Sequence, residues 1–195
     1  MLKTSAVLCA LALMACAVPK RPAAAPEASA TFRLGAEAPY VAFDAPGWHR
    51  SKGEEKDRMV LHWHDHKDVL RAMMVWIKPA NPGDTVEAAM TGFAPMIMAV
   101  PVLMAEPKAT PVEALSDEEA LFGFRGFDSK TGTKLVAQFR VKIVSGHNVD
   151  YWVLILAYGP ESQAPQMLFD ADRIAKSLRI EAPAPPDIKA KASPK

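Results

Sequence analysis

Cysteine is almost absent from this chain. The only two, Cys9 and Cys16, lie within the first 16 of 195 residues. The sequence after them can form no disulfide and no Cys-ligated metal site. Catalysis by a thiolate and thiol redox chemistry are therefore excluded for everything that follows residue 16.

An excess of charge of either sign is also missing, since 23 Lys and Arg stand against 22 Asp and Glu. Proteins that bind nucleic acid normally show a basic excess or stripe, so we expect no nucleic-acid partner. The balance equally gives little support to a surface that relies on anionic lipid.

Signature motifs of enzymes are lacking as well. The sequence contains no Gly-rich phosphate loop, no Gly-x-Ser-x-Gly elbow and no His-Glu-x-x-His motif. The acidic run at residues 117–119 has the pattern of a turn between strands, where a carboxylate is too exposed for acid catalysis. We therefore expect no enzymatic activity and no catalytic residue.

The beginning of the chain has the pattern of an export signal. Lys3 precedes an apolar stretch over residues 5–15, which is too short to remain as a spanning helix. Residues 13–16, Leu-Met-Ala-Cys, resemble the lipobox of bacterial lipoproteins, in which the cysteine is acylated and the chain is cut before it. Residues 1–15 are then a signal peptide, and Cys16 is the lipidation site that anchors the protein to a membrane.

Two alternatives remain for this anchor. Ordinary secretion with cleavage after Ala17 also fits, because residues 15–17 read Ala-Cys-Ala.

Ala17, rather than Asp, follows the cysteine, so retention at the inner membrane is not indicated, and the outer membrane of a bacterial cell envelope is the expected location. Of the 23 basic residues Lys3 leaves with the signal, which makes 22 against 22 acidic ones.

Composition divides the rest of the chain into three parts. Residues 16–30 are rich in Pro and Ala and predict a flexible tether after the lipidated cysteine. Residues 181–195 predict a disordered tail of Pro, Ala and Lys. Residues 31–180 are the globular domain.

Hydrophobic periodicity predicts an α+β domain with a largely antiparallel sheet flanked by two main helices. Residues 57–64 and 69–78 form a hairpin, and residues 119–128, 133–144 and 149–159 form a meander. The first helix begins at Asp84 or Thr85 and is kinked or ended by Pro95, and the second covers residues 164–178. The stretch after residue 99 is interrupted by prolines and predicts irregular structure. Strands 69–77 and 149–158 are apolar on both faces, which predicts that helices partly cover both sides of the sheet.

Residues 40–50, YVAFDAPGWHR, resemble the aromatic-x-x-Pro-x-Gly-Trp segment of the PsbP-like superfamily. The closing RIAKSLRI at residues 173–180 resembles that family's ending, and the order of elements between them also fits. The resemblance implies an α/β/α sandwich. The superfamily includes the DcrB-like bacterial lipoproteins. The superfamily has no shared catalytic motif, so no catalytic residue is implied.

Three histidines, His62, His64 and His66, alternate along the end of the first hairpin. Residues two apart in a strand lie about 6.6 Å apart on one face, so His62 and His64 can share a Zn²⁺ or Cu²⁺ ion. His66 joins them only where the chain turns, and a further ligand has to come from elsewhere, His49 among the candidates. The alternatives are a solvated strand end without metal and a patch that becomes charged as the pH falls.

Methionines cluster around the first helix. Because methionine repacks around varied ligands, Met90, Phe93 and Met98 predict an apolar groove, and some PsbP-like chaperones cradle hydrophobic helices in such a surface. The alternative is ordinary core packing. Taken together, the sequence predicts a membrane-anchored, non-catalytic binding or accessory module with a protein partner in the envelope, and it implies no cofactor apart from that metal.

Overall fold

The strands predicted from alternation form the centre of a seven-stranded antiparallel sheet. The computed structural model describes residues 30–51, 56–63 and 72–182. The order across this large sheet is β3-β4-β5-β9-β8-β7-β6. Its strands are β3 (Trp48–Arg50), β4 (Arg58–Trp63), β5 (Ala72–Ala80), β6 (Ala105–Ser116), β7 (Glu119–Phe127), β8 (Lys134–Gly146) and β9 (Val149–Pro160).

A smaller sheet joins the two ends of the domain. β2 (Tyr40–Asp44) lies between β1 (Thr31–Leu34) and β10 (Arg179–Glu181), with both neighbours antiparallel to it. β10 therefore includes Glu181, one residue beyond the predicted end of the globular domain.

Local turn chemistry sets the register of the two longest strands. β8 and β9 are joined at His147 and Asn148, whose φ angles of 51° and 61° are both positive. Two consecutive residues of this kind form the tight turn whose twist matches that of a hairpin. The pairing then continues without a break from Gly146↔Val149 to Leu135↔Pro160.

Two hydrophobic cores lie on opposite faces of the large sheet. The first core is enclosed by the small sheet and α3 (Ala164–Ser177), and it contains Phe43, Trp48 and Met167. The second lies beneath α1 (Val86–Gly92) and α2 (Ala94–Ala99), and it contains Phe93 and Phe139. β5 and β9 contribute side chains to both cores, which confirms the predicted α+β sandwich and explains why these strands are apolar on both faces.

The first predicted helix is divided in two, as Pro95 suggested. Thr85 caps α1 by accepting a hydrogen bond from the Ala88 N–H at 3.3 Å. α1 ends at Gly92, and Pro95 lies in the first turn of α2. Backbone N–H groups in the first turn have no acceptor within the helix, so proline, which lacks this group, is tolerated there. A 3₁₀ turn at Pro101–Leu103 follows α2. Among the described residues no single helix has the length and apolar composition to span a membrane. The two segments Val86–Gly92 and Ala94–Leu103, which are bent by 57° relative to each other, reach that length and composition only when they are taken together.

The stretch predicted to be irregular contains an additional strand. β6 pairs only with β7 and forms one edge of the large sheet, and its register shifts at three places. Pro107 and Pro111 lie within it and are exposed. Proline is tolerated in an edge strand because the missing N–H does not have to bond to a second neighbour, so the prolines signalled an edge rather than a loop.

Candidate functional site

An apolar groove runs between the large sheet and α2. Its volume is about 620 Å³. β4, β5 and β9 supply the floor, and α2 with the 3₁₀ turn supplies a wall. The lining residues are Arg58, Val60, His62, Ala72, Met74, Trp76, Pro95, Met96, Ala99, Val100, Leu103, Leu156 and Tyr158.

The groove follows from the register of the strands and the position of the helices. Val60 pairs with Met74, and Met74 pairs with Leu156, so the three side chains form one row across the floor. α1 packs on β8 rather than on β4, so its cover does not extend over this row. Phe93 and Ile97 bury themselves in the core beneath the helices, and Met74 and Met96 remain only partly buried beside it.

The polar groups of the groove lie at its two ends. Arg58 pairs with Trp76 at one end, while His62 and Tyr158 both pair with Ala72 at the other. Ser51 Oγ lies 2.6 Å from His62 Nε2 and fixes the imidazole. Burial, with a smaller contribution from Asp128, raises the pKa of Tyr158, so this hydroxyl stays neutral at physiological pH. None of the lining residues within the described ranges is acidic.

The outer side of the groove wall is also apolar. Met98, Val102 and Leu103 are 63%, 83% and 60% exposed. Leu103 belongs to both surfaces, because it lines the groove and faces solvent. A surface helix usually turns a polar side to water, so this segment differs from an ordinary core-covering helix.

The three residues predicted to line a groove have different positions. Phe93 is fully buried and belongs to the second core, and Met90 packs against that core from its edge. Met98 is exposed on the outer side of α2. None of the three lines the groove. The sequence did not reveal this, because helical periodicity does not say which apolar face of the helix packs on the sheet and which one borders the uncovered part of the sheet.

The predicted metal site is described only at its first histidine. His62 lies in β4 directly opposite His49 of β3, so two imidazoles share one face of this hairpin. His64 and His66 lie outside the described residues, as does Cys16. Within the described ranges no group of three or more His, Cys, Asp or Glu side chains is arranged to hold a metal ion. Metal binding by His62, His64 and His66 stays a prediction.

The acidic run at 117–119 contributes to an ion cluster. Glu119 accepts a hydrogen bond from Arg140 Nε, and Arg140 Nη1 donates to Asp172 at 2.9 Å. Hydrogen bonds from Lys176 and Arg140 lower the pKa of Asp172. Glu119 and Asp172 are paired with cations on β8 and α3, which is a structural role, and the lowered pKa of Asp172 does not suit a proton donor in catalysis.

Sequence patterns contained part of the evidence for the groove. Alternation in β4 places Arg58, Val60 and His62 opposite the buried Met59 and Leu61, and the structure confirms this division. The methionine-rich composition around the first helix indicated an apolar surface. The roles of Trp76 and Tyr158 depend on pairing between strands distant in sequence, which alternation within one strand does not reveal.

Comparison with known proteins identifies the fold. Neither a family model nor a curated protein sequence matches the chain. Solved structures do match it, and they show that the chain has the PsbP-like fold. This confirms the fold that the resemblance of residues 40–50 and 173–180 implied.

Three of these solved structures illustrate the similarity. LpqN of Mycobacterium tuberculosis, involved in cell envelope biogenesis, has a TM-score of 0.50 at 10% identity, over 79% of this chain and 91% of its own. Cyanobacterial PsbP from Synechocystis sp. PCC 6803 also has a TM-score of 0.50, at 14% identity, over 83% of this chain and 99% of its own. The Ran-binding protein Mog1p of Saccharomyces cerevisiae reaches 0.48 at 9% identity, over 78% and 96%. At these identities the likeness concerns the fold alone.

Proposed function

We propose that this protein is a lipid-anchored, non-catalytic binding module of a bacterial cell envelope, and that the groove beside α2 is its binding site. The observation that carries the proposal is the groove, which is large and whose described lining is apolar apart from polar groups at its two ends. Pockets of this composition are the usual places where proteins bind small ligands.

The anchor is supported by the sequence before the fold. Residues 13–16 resemble a lipobox, and residues 16–30 have the composition of a tether. From this composition we predict a tether that allows the domain to lie roughly 20 to 40 Å from the bilayer. Ala17 after the cysteine favours the outer membrane.

The envelope assignment has one further support. LpqN, which has the same fold, is involved in cell envelope biogenesis. The absence of a catalytic role is supported by the described carboxylates, of which Glu119 and Asp172 are paired with cations. A binding module with a partner in the envelope is consistent with both observations.

Metabolic labelling tests the anchor. Cells grown with an alkyne fatty acid are expected to label the wild-type protein and to leave the Cys16→Ser variant unlabelled and uncleaved. Thr4→Ser is the matched control, since it alters the signal segment without touching the cysteine, and it should label like wild type. A wild-type protein recovered unlabelled, with a mature chain that begins at Val18, contradicts the anchor.

The same cells test the groove as the binding site. A photoreactive benzophenone amino acid at Met96, inside the groove, is expected to give a discrete adduct with an envelope component. The same amino acid at Ser129, in the exposed turn between β7 and β8, should give none. Absence of an adduct specific to position 96 contradicts the groove as the binding site.

A further inference from the structure

We propose that the ligand of the groove is a lipid with an anionic head and an extended hydrocarbon tail, bound with the head beside Arg58. This rests on the proposed function in taking the groove as the binding site. It adds the chemical class of the ligand, which the dimensions, the lining and the charge of the groove indicate.

The dimensions of the groove accommodate a hydrocarbon chain. The floor extends along β4 from Arg58 to His62, which is about 13 Å at the rise of a strand. Carbon atoms in contact lie about 4 Å apart, and a volume of about 620 Å³ leaves room for one or two hydrocarbon chains side by side.

The lining favours a hydrocarbon over an extended peptide. The floor is the face of a sheet, whose backbone N–H and C=O groups already pair within β4, β5 and β9. The wall adds the apolar side chains of Met96, Val100 and Leu103. A peptide in this groove leaves its own amides without partners, and each such group costs free energy on burial. A methylene chain has no such requirement.

The charge of the lining indicates the head of the ligand. Among the described lining residues Arg58 is the one that carries a fixed positive charge, and it lies at one end of the groove. The guanidinium matches a carboxylate or a phosphate through paired N–H donors. The tail then extends past Val60 and Met74 towards the end of the groove formed by His62 and Tyr158. A free fatty acid and a phosphorylated lipid share this chemistry.

The exposed apolar wall gives such a ligand a route to the groove. Leu103 lines the groove and is 60% exposed, and Met98 and Val102 continue the apolar surface outward. A hydrocarbon tail that leaves a bilayer can stay in contact with this apolar surface on its way to the groove. Only part of the tail is then exposed to water at any time. An entrance of this kind has no evident use for a soluble polar ligand.

Binding is tested with the mature chain, residues 16–195, carrying Cys16→Ser so that neither attached lipid nor detergent competes. The fluorescent fatty acid cis-parinaric acid is titrated into the protein, and palmitate, hexadecyl phosphate and uncharged hexadecanol are added as competitors. We expect saturable one-to-one binding and displacement by both anions, and the stronger of the two identifies the head group. A folded protein, by circular dichroism, that shows no saturable binding overturns the proposal.

Two neighbouring substitutions locate the tail. Ala99→Trp fills the groove from the exposed wall and should weaken binding by about tenfold or more. Met98→Trp adds the same side chain one residue away, outside the groove lining, and should leave affinity within about twofold. Equal effects of the two variants overturn the position of the ligand.

A second pair of variants tests the head. Arg58→Gln should weaken binding of palmitate and hexadecyl phosphate by about tenfold and leave that of hexadecanol unchanged. Arg50→Gln makes the same change on the opposite face of the hairpin, where Arg50 pairs with the buried Leu61, and should change none of them. An equal loss for all three ligands overturns the role of Arg58.

The remaining outcomes separate this inference from the proposed function. A hydrophobic helical peptide of 20 residues that displaces the probe, where palmitate and hexadecyl phosphate do not, overturns the lipid and leaves the groove as the binding site. A wild-type chain unlabelled at Cys16 overturns the anchor and leaves lipid binding by residues 16–195 unaffected.

Discussion

At the scale of single residues, one buried carboxylate connects β3 to α3 within the first core. Asp170 is 4% exposed and lies on α3. Its Oδ2 accepts a hydrogen bond from Trp48 Nε1 at 3.3 Å, and its Oδ1 accepts one from Gln166 Nε2 at 3.1 Å. A buried charge is costly unless such donors are present. The tryptophan that supported the resemblance to the PsbP-like superfamily is therefore a donor to the last helix.

Trp48→Phe is expected to lower the free energy of unfolding by about 1–3 kcal/mol, because it leaves the buried Asp170 without one of its donors. Urea denaturation measures the change. The control is Tyr151→Phe, which removes a partly buried hydroxyl that donates to the Pro39 carbonyl at 3.4 Å, and it should cost about 0.5 kcal/mol or less. A Trp48→Phe variant no less stable than Tyr151→Phe contradicts this role of the indole.

The sequence was informative about some residues and not about others. The spacing in β4 correctly separated the buried Met59 and Leu61 from Arg58 and His62. Asp170 gave no signal, because a carboxylate on an amphipathic helix is expected on the solvent side. Its burial depends on Trp48, which is 122 residues away in the chain, and no local pattern relates the two.

At the scale of elements, the break between α1 and α2 is set by a close approach as well as by proline. Gly92 ends α1 where its Cα lies against the ring of Trp152 on β9, and an added Cβ overlaps the ring at Cζ3. Lys78 Nζ on β5 donates to the Gly92 carbonyl. The glycine thus allows the helix to pack closely on the sheet, and α2 begins two residues later as the wall of the groove.

Gly92→Ala is expected to destabilise the fold by about 1–3 kcal/mol, because the methyl group has to displace the indole of Trp152. The double variant Gly92→Ala with Trp152→Leu removes the overlapping ring. Its loss should be smaller than the sum of the two single losses by about 1 kcal/mol. Strict additivity in thermal or urea unfolding shows that the contact is not the cause.

The elements differ in how far the sequence determined them. The three long strands of the meander, β7, β8 and β9, agree closely with their predicted ranges. The helix containing Pro95 divides as expected. Short strands depend on distant partners, as β10 does on β2, with Ile180 opposite Val41. The groove falls between these cases, because the apolar character of its wall was predictable, whereas the residues that line the wall were not and the floor requires the pairing of β4 with β5 and β9.

At the scale of the whole molecule, ion pairs of carboxylates with arginines join the first strands of the domain to its last strand. Asp44 on β2 accepts a hydrogen bond from Thr31 Oγ1 at 2.7 Å and pairs with Arg179 of β10, and both lower its pKa. The pKa of Glu181 is lowered mainly by its hydrogen bond from Arg33, which joins β10 to β1. These pairs tie the beginning of the fold to its end.

Thermal unfolding is expected to shift to lower temperature in acid. A carboxyl whose pKa is lowered by folding adds stability above its unfolded pKa, near 4, because the unfolded chain binds protons more readily. That contribution is lost as the pH falls through the lower pKa of the folded state. The Tm should therefore vary little between pH 7 and 5 and fall below about pH 4.

Combining Asp44→Asn with Asp172→Asn should flatten this acid limb. The control Glu87→Gln, which removes one carboxylate from the exposed side of α1, should retain it. Differential scanning calorimetry from pH 2.5 to 7 makes the comparison. An acid limb of unchanged steepness in the double variant shows that other groups determine the fall.

The edge strand β6 has a consequence for a protein attached to a surface. The proposed anchor at Cys16 would confine many copies to two dimensions, where encounters between identical chains are frequent. An open edge is a template for fibrils when it is flat and regular. Pro107 and Pro111 withhold donors along β6, the shifts in register bend it, and Lys108 and Glu113 add charge to its exposed residues. Neighbouring copies can then crowd together on one bilayer without stacking edge to edge.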